Sequence, residues 1–87
     1  MHETKAMLIR LNGQRCMLCG RQVPYWEINW HHIKPKAVCK RNHEPIDNSY
    51  ENGALLCLSC HAIVHSYNYG SDKYTYFTMV MLANKKA

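Results

Sequence analysis

The 87-residue chain contains no unbroken apolar run longer than five residues, as in Met79 to Ala83. A membrane span needs roughly 18 such residues, so no membrane association is expected. The first ten residues, which include Glu3, Lys5 and Arg10, lack the apolar stretch of a secretory signal. Repeats, low-complexity tracts and linkers are missing as well, and residues 1–87 are expected to form a single domain. Acid is scarce: six Asp and Glu stand against eleven Lys and Arg, a formal charge of +5. A chain this short buries only about 60–65% of the surface it exposes when unfolded. Its apolar core is therefore marginal, and folds of this size use disulfides or a structural metal as a staple.

Cysteine and histidine are in excess, with five and six residues respectively. An odd number of cysteines without a secretory signal argues against a disulfide framework and for reduced thiols in the cytoplasm. Cys16 and Cys19 form one Cys-x-x-Cys motif, Cys57 and Cys60 a second, and Cys39 is left over as an expected loop bystander. A two-residue gap lets both thiolates of a pair turn toward one ion, so the two pairs together point to a tetrahedral structural zinc. A redox Cys-x-x-Cys accounts for one pair but not for two, and no βαβ pattern surrounds either. Thirty-seven residues separate Cys19 from Cys57, against about 15–20 in a plain four-cysteine module. A segment with its own purpose is inserted there.

Residues 3–12 read as a helix with Ala6, Met7, Leu8 and Leu11 on one face, ending at Asn12-Gly13. Residues 25–33 are rich in aromatic and β-branched types and read as a strand. On such a strand Trp26 and Trp30 share a face and belong to the core. Residues 34–51 show no periodicity and read as a long loop. Asn52-Gly53 reads as a turn, Ala54 to Leu56 as a second strand, and a helix follows from about Ser59 to Gly70. The core is expected over 14–68. In the tail, 71–87, Ser71-Asp72 suits a helix start while Tyr74 to Thr78 favours a strand; helix is the expectation.

The histidines fall at informative positions. His61 and His65 are one helical turn apart and on one face, a spacing that chelates a single divalent ion. A third imidazole from the strand end at His31-His32 would complete a facial set and leave positions open for water and substrate. A mixed site of Cys and His is the competing arrangement, although four thiolates already close a tetrahedron. His65 also suits a plain cation at a helix C-terminus. His43 is expected to be solvated, and His2 has no role.

The string Trp30-His31-His32-Ile33, followed by Glu51-Asn52-Gly53-Ala54-Leu55-Leu56-Cys57-x-x-Cys60-His61, resembles the HNH nuclease family in its version braced by two Cys-x-x-Cys pairs. The resemblance covers about Cys16 to His65. It implies a small α+β fold with a ββα-metal (His-Me finger) core, a four-cysteine structural zinc and short flanking helices. It also implies DNA phosphodiester hydrolysis, with one metal acting in line to leave 5′-phosphate and 3′-hydroxyl ends. By that resemblance His31 and His61, with His65 as in some branches of the family, hold the catalytic metal. His32 is the general base, and Asn52 fixes the loop that holds the base or, as in some branches, lies near the metal. The chain departs from many relatives in having Lys34-Pro35-Lys36 where they carry a Gly-rich loop. Imidazole is the side chain whose ordinary pKa, about 6.5, lets it accept a proton from water near neutrality. Imidazole donors favour Mn, Ni, Co or Zn over Mg as the catalytic ion.

Lys34, Lys36, Lys40 and Arg41 fall in an acid-free stretch beginning two residues after His32. Beside a phosphodiester site they would grip the DNA backbone, with salt-sensitive affinity and weak sequence preference. Similar stand-alone nucleases occur in phages and mobile elements, some beside DNA-packaging proteins, which suggests such partners by analogy and a bacterial or phage-infected cytoplasm. A single site must act twice, or work in a homodimer, to break both strands. Two rival readings remain open. One is a non-catalytic zinc module that binds nucleic acid; the other is a protein-docking module using Tyr67, Tyr69, Tyr74 and Tyr76.

Overall fold

The computed structural model describes residues 3–86; His2 lies outside them. Helix α1, Glu3–Asn12, forms where the apolar spacing places it, but of the expected face only Leu8 is fully buried. Met7 and Leu11 stay exposed, because the helix meets the rest of the chain along a narrow line. Strand β1, Ile28–His32, pairs antiparallel with β2, Gly53–Cys57, setting His31 opposite Ala54 and His32 opposite Gly53. The strand expected over 25–33 is thus shorter. Pro24 introduces a 3₁₀ turn at Tyr25–Glu27, in which the Glu27 N–H donates to the Pro24 carbonyl at 2.9 Å. That turn carries Trp26 out of the core to 79% exposure, whereas Trp30 packs partly buried against the core.

The segment expected as a loop over 34–51 contains a helix, α2, Lys36–Arg41, which buries Val38 and Cys39. Fewer than two turns of helix show no periodicity to detect. Cys39 is accordingly a core residue on a helix and not a loop bystander. His43 closes α2 in the left-handed conformation at φ 57°. The N–H of Glu44 reaches the Cys39 carbonyl at 2.8 Å and that of His43 the Lys40 carbonyl at 3.2 Å, the paired bonds of a Schellman ending.

A 3₁₀ turn at Tyr50–Asn52 replaces the simple turn expected at Asn52-Gly53. Strand β2 then runs without a linker into α3, Leu58–His65. Helix α3 stops at Ser66 instead of reaching Gly70, and the Ser66 hydroxyl donates to the Ile63 carbonyl at 2.6 Å. The tail forms α4, Asp72–Asn84, with the Ser71 hydroxyl accepting from the Tyr74 N–H at 3.3 Å as its N-cap. Helix prevails over local strand propensity because Tyr74, Phe77 and Met81, at i, i+3 and i+7, are buried on one side. The buried Tyr74 is thereby removed from any tyrosine docking surface, while Tyr67, Tyr69 and Tyr76 stay exposed. No helix among the described residues is long and apolar enough to cross a membrane.

The resulting fold is a small α+β arrangement consistent with the ββα-metal class: two antiparallel strands, a helix directly after them, and helices around them. Every residue of β2 is buried. Strand alternation places Trp30, His32 and Gly53 on one face of the ribbon and His31 with Ala54 on the other. Helix α1 covers the first face so closely that a Cβ at Gly53 would lie 2.9 Å from Leu8 Cδ1 and 2.9 Å from Trp30 Nε1. Gly53→Ala is therefore expected to lower stability by about 1–3 kcal/mol, the cost of overpacking a filled core. Urea denaturation of the two proteins measures the difference, and an unchanged midpoint would contradict the tight packing of α1 on β2.

Candidate functional site

Cys16 and Cys19 lie on a knuckle that Gly20 closes at φ 79°, a conformation open to glycine without strain. The Cys16 Sγ accepts from the Leu18 N–H at 3.4 Å and the Cys19 N–H at 3.5 Å. The knuckle docks on β2 through the Met17 N–H, which donates to the Leu55 carbonyl at 2.8 Å. Asn84, at the end of α4, donates its side-chain amide to the Met17 carbonyl at 2.8 Å. Cys57 and Cys60 straddle the junction of β2 and α3.

All four sulfurs fall within 4.8 Å of one another, and the four cysteines are positioned to bind a metal ion. Tetrahedral Zn–S bonds of about 2.3 Å set sulfurs about 3.8 Å apart. The Cys19 and Cys57 Sγ atoms are 3.9 Å apart, which fits that geometry and is nearly twice the roughly 2.05 Å of a disulfide. Burial raises the Cys60 thiol, and hydrogen bonding to Cys57 raises it further; burial also raises Cys19. Burial opposes ionisation of Cys57 too, but hydrogen bonds from the Cys60 N–H and the neighbouring thiols outweigh it and bring Cys57 down to about 7. The thiols thus compete to carry one negative charge, and a bound dication is what lets all of them ionise.

The second cluster sits on the His31 face of the ribbon. Strand β1 supplies His31 and one turn of α3 supplies His61 and His65, with one ring nitrogen of each within 4.8 Å of the others. The His61 and His65 Nε2 atoms are 3.0 Å apart, the separation of two nitrogens each about 2.1 Å from one ion and at right angles. His31 is buried, and its Nδ1 has no hydrogen-bond partner among the described residues. Burial, followed by the proximity of His65 and His61, lowers its pKa from 6.5 to about 3. Burial and then His65 lower that of His61 as well. The three imidazoles together form a donor set for a soft or borderline dication.

His32 points to the opposite face of β1, where its ring stacks on Trp30 with centroids 4.4 Å apart and planes at 25°. Because β1 ends at His32, the two faces meet there. Trp30, His32, Lys36, His61 and His65 line a single cleft of about 420 Å³. The Asn48 Oδ1 lies 2.8 Å from His32 Nε2, and a carbonyl oxygen only accepts, so Nε2 donates to it and Nδ1 is the nitrogen left bare in the neutral ring. Asn52 is buried and fixes the same strand end. Its Oδ1 accepts from the Lys34 N–H at 2.8 Å, and its Nδ2 donates to the Lys34 carbonyl at 3.3 Å and the Asp47 carbonyl at 2.8 Å.

The basic segment divides. Lys36, Lys40 and Arg41 are exposed on α2, whereas the Lys34 ammonium is ion-paired with Glu44. Two polar contacts to the histidines escape sequence reasoning. Asn48 sits in an ordinary polar loop, and Tyr74 is 43 residues beyond His31, which its hydroxyl approaches at 3.3 Å from Nε2. Nothing local to either residue marks it out, since each is brought in by packing.

Comparison with protein families matches residues 16–67 to the family described as HNH endonuclease. No curated protein and no solved structure matches the chain significantly.

Two expectations follow from the clusters. Stripping metal with a strong chelator is expected to abolish the cooperative thermal transition, as is Cys60→Ser; a chelated chain that still melts cooperatively would show that the thiols do not brace the fold. For His31, the folded pKa lies below the unfolded one, so the unfolded chain binds more protons between pH 3 and 6.5. His31 therefore contributes its full stability above about pH 6.5 and loses it as the pH falls toward 3. Imidazole ¹H–¹⁵N spectra at pH 5 are expected to show a neutral His31 ring, and a protonated ring at that pH would remove burial as the governing cause.

Proposed function

Because the chain belongs to the HNH endonuclease family, we propose that it is a metal-dependent endonuclease that hydrolyses DNA phosphodiester bonds to 5′-phosphate and 3′-hydroxyl ends. The observation that carries this reading is the convergence of three imidazoles beside His32, on a strand pair and the helix that follows it. The four-cysteine cluster is assigned a structural zinc. A divalent ion held by His31, His61 and His65 would neutralise charge on the scissile phosphate and on the departing 3′ oxygen.

His32 takes a proton from the attacking water on Nδ1, the nitrogen that the Asn48 contact leaves bare. The water oxygen bonds to phosphorus as the bond to the 3′ oxygen breaks. The 3′ oxyanion picks up a proton from solvent to become the 3′-hydroxyl, and His32 gives the proton it took back to solvent. Stacking on Trp30 and the hydrogen bond from Nε2 to Asn48 limit rotation of the His32 ring. That restraint supplies part of the orientation such a step needs. Asn52 acts one bond further out, tying the backbone after His32 to the turn before β2. Lys36, Lys40 and Arg41 contact phosphates along the strand, while Lys34 must exchange Glu44 for a phosphate before it joins them. Contacts of this kind carry little base information, so sequence preference is weak.

Supercoiled plasmid incubated with the purified chain and Mn²⁺ or Ni²⁺ tests the reading. Nicking is expected, with His32→Ala reducing the rate by about 10²–10⁴, the range for removal of a general base. DNA binding without cleavage, or a His32→Ala variant as fast as the parent, would favour a non-catalytic nucleic-acid-binding module instead.

A further inference from the structure

Helix α4 lies outside the residues matched to the family, yet it sends one side chain to the imidazole cluster. The Tyr74 hydroxyl donates to the Ile33 carbonyl at 3.1 Å, and the same oxygen lies 3.3 Å from His31 Nε2. A phenol has one proton to give. With that proton committed to Ile33, the hydroxyl can only accept from His31, so Nε2 must be the protonated nitrogen. The other ring nitrogen, Nδ1, is then bare, and it is buried with no partner among the described residues. A neutral imidazole ligates through its bare nitrogen, and which one is bare is set by the hydrogen bond the other makes.

We propose that Tyr74 is a positioning residue that selects the Nε2–H tautomer of His31 and so reserves Nδ1 for a divalent cation. The hydroxyl also ties down the backbone one residue past His32, so a single group from α4 holds both sides of the His31-His32 step. The proposal rests on the reading of the imidazole cluster as a metal centre. It extends the functional unit beyond residue 67 and gives α4 a role besides covering the core.

The experiment uses the full chain carrying one zinc equivalent. Long-range ¹H–¹⁵N imidazole spectra report the His31 tautomer without a second metal, and Ni²⁺ titration calorimetry reports affinity, with His61→Ala as the reference lacking the cluster. Wild type is expected to show protonated Nε2 and bare Nδ1. Tyr74→Phe, which keeps the ring edge-to-face with Tyr69 at 5.6 Å, is expected to show mixed tautomers and about 10–100-fold weaker Ni²⁺ binding, as for loss of an outer hydrogen bond to a ligand. Tyr69→Phe alters the same packing without touching His31 and is expected to change neither readout. A wild-type His31 protonated on Nδ1, or a Tyr74→Phe variant with the parent's tautomer and affinity, would overturn the proposal. Equal Ni²⁺ binding by wild type and His61→Ala would instead sink the metal-centre reading, and the tautomer spectra would still decide what Tyr74 does.

Discussion

Four thiols facing one point form an arrangement that the polypeptide resists holding unaided. Ionised together they repel one another, and only a cation converts that repulsion into a cross-link. In this chain the cross-link would join a knuckle near residue 16 to the junction of β2 and α3 near residue 60. Both segments carry more than sulfur. The knuckle hydrogen-bonds to β2 and to the end of α4, and His61 follows Cys60 directly. The apolar core of so short a chain is small, so a cross-link there would brace the strand–helix junction from which His61 projects.

Polar chemistry is concentrated where β1 ends. A regular strand sends neighbouring side chains to opposite faces, which would keep His31 and His32 from one substrate. The strand resolves this by stopping. His31 turns into the protein toward α3 and α4, His32 turns onto Trp30, and the cleft at that end brings His32 together with His61 and His65. A strand end in turn leaves backbone groups without ladder partners, and Asn52 supplies those partners from its side chain. Buried amides of this kind are costly unless fully bonded, and Asn52 makes three such bonds. The same end is held from outside by Asn48 and from inside by Tyr74.

Much of this was legible in the sequence, for local reasons. Paired Cys-x-x-Cys motifs, a histidine pair one helical turn apart and the apolar run before Cys57 each encode their geometry within a few residues. The failures also share a cause. Helix α2 is too short for a periodic pattern, and its ends are set by Pro35 and by His43 in a left-handed conformation more common for glycine. Trp26 leaves the core because Pro24 starts a 3₁₀ turn before the pairing begins. The tail, by contrast, forms the expected helix: Tyr74 to Thr78 has strand-like composition, but the spacing of Tyr74, Phe77 and Met81 suits burial on one helical side.

The sequence by itself determined the donor types and their local spacing: four sulfurs in two knuckles, two imidazoles on one helical face, a third at a strand end, and a surplus of positive charge. Those properties belong to stretches shorter than two helical turns, where covalent geometry decides which atoms meet. Only the tertiary structure decided which distant groups complete the site. It brought Asn48 to His32 and Tyr74 to His31, buried Cys39, and paired Lys34 with Glu44. Contacts across tens of residues depend on how helices settle against a two-stranded ribbon. That is a balance of packing and desolvation over the whole chain, and no single stretch of sequence carries it.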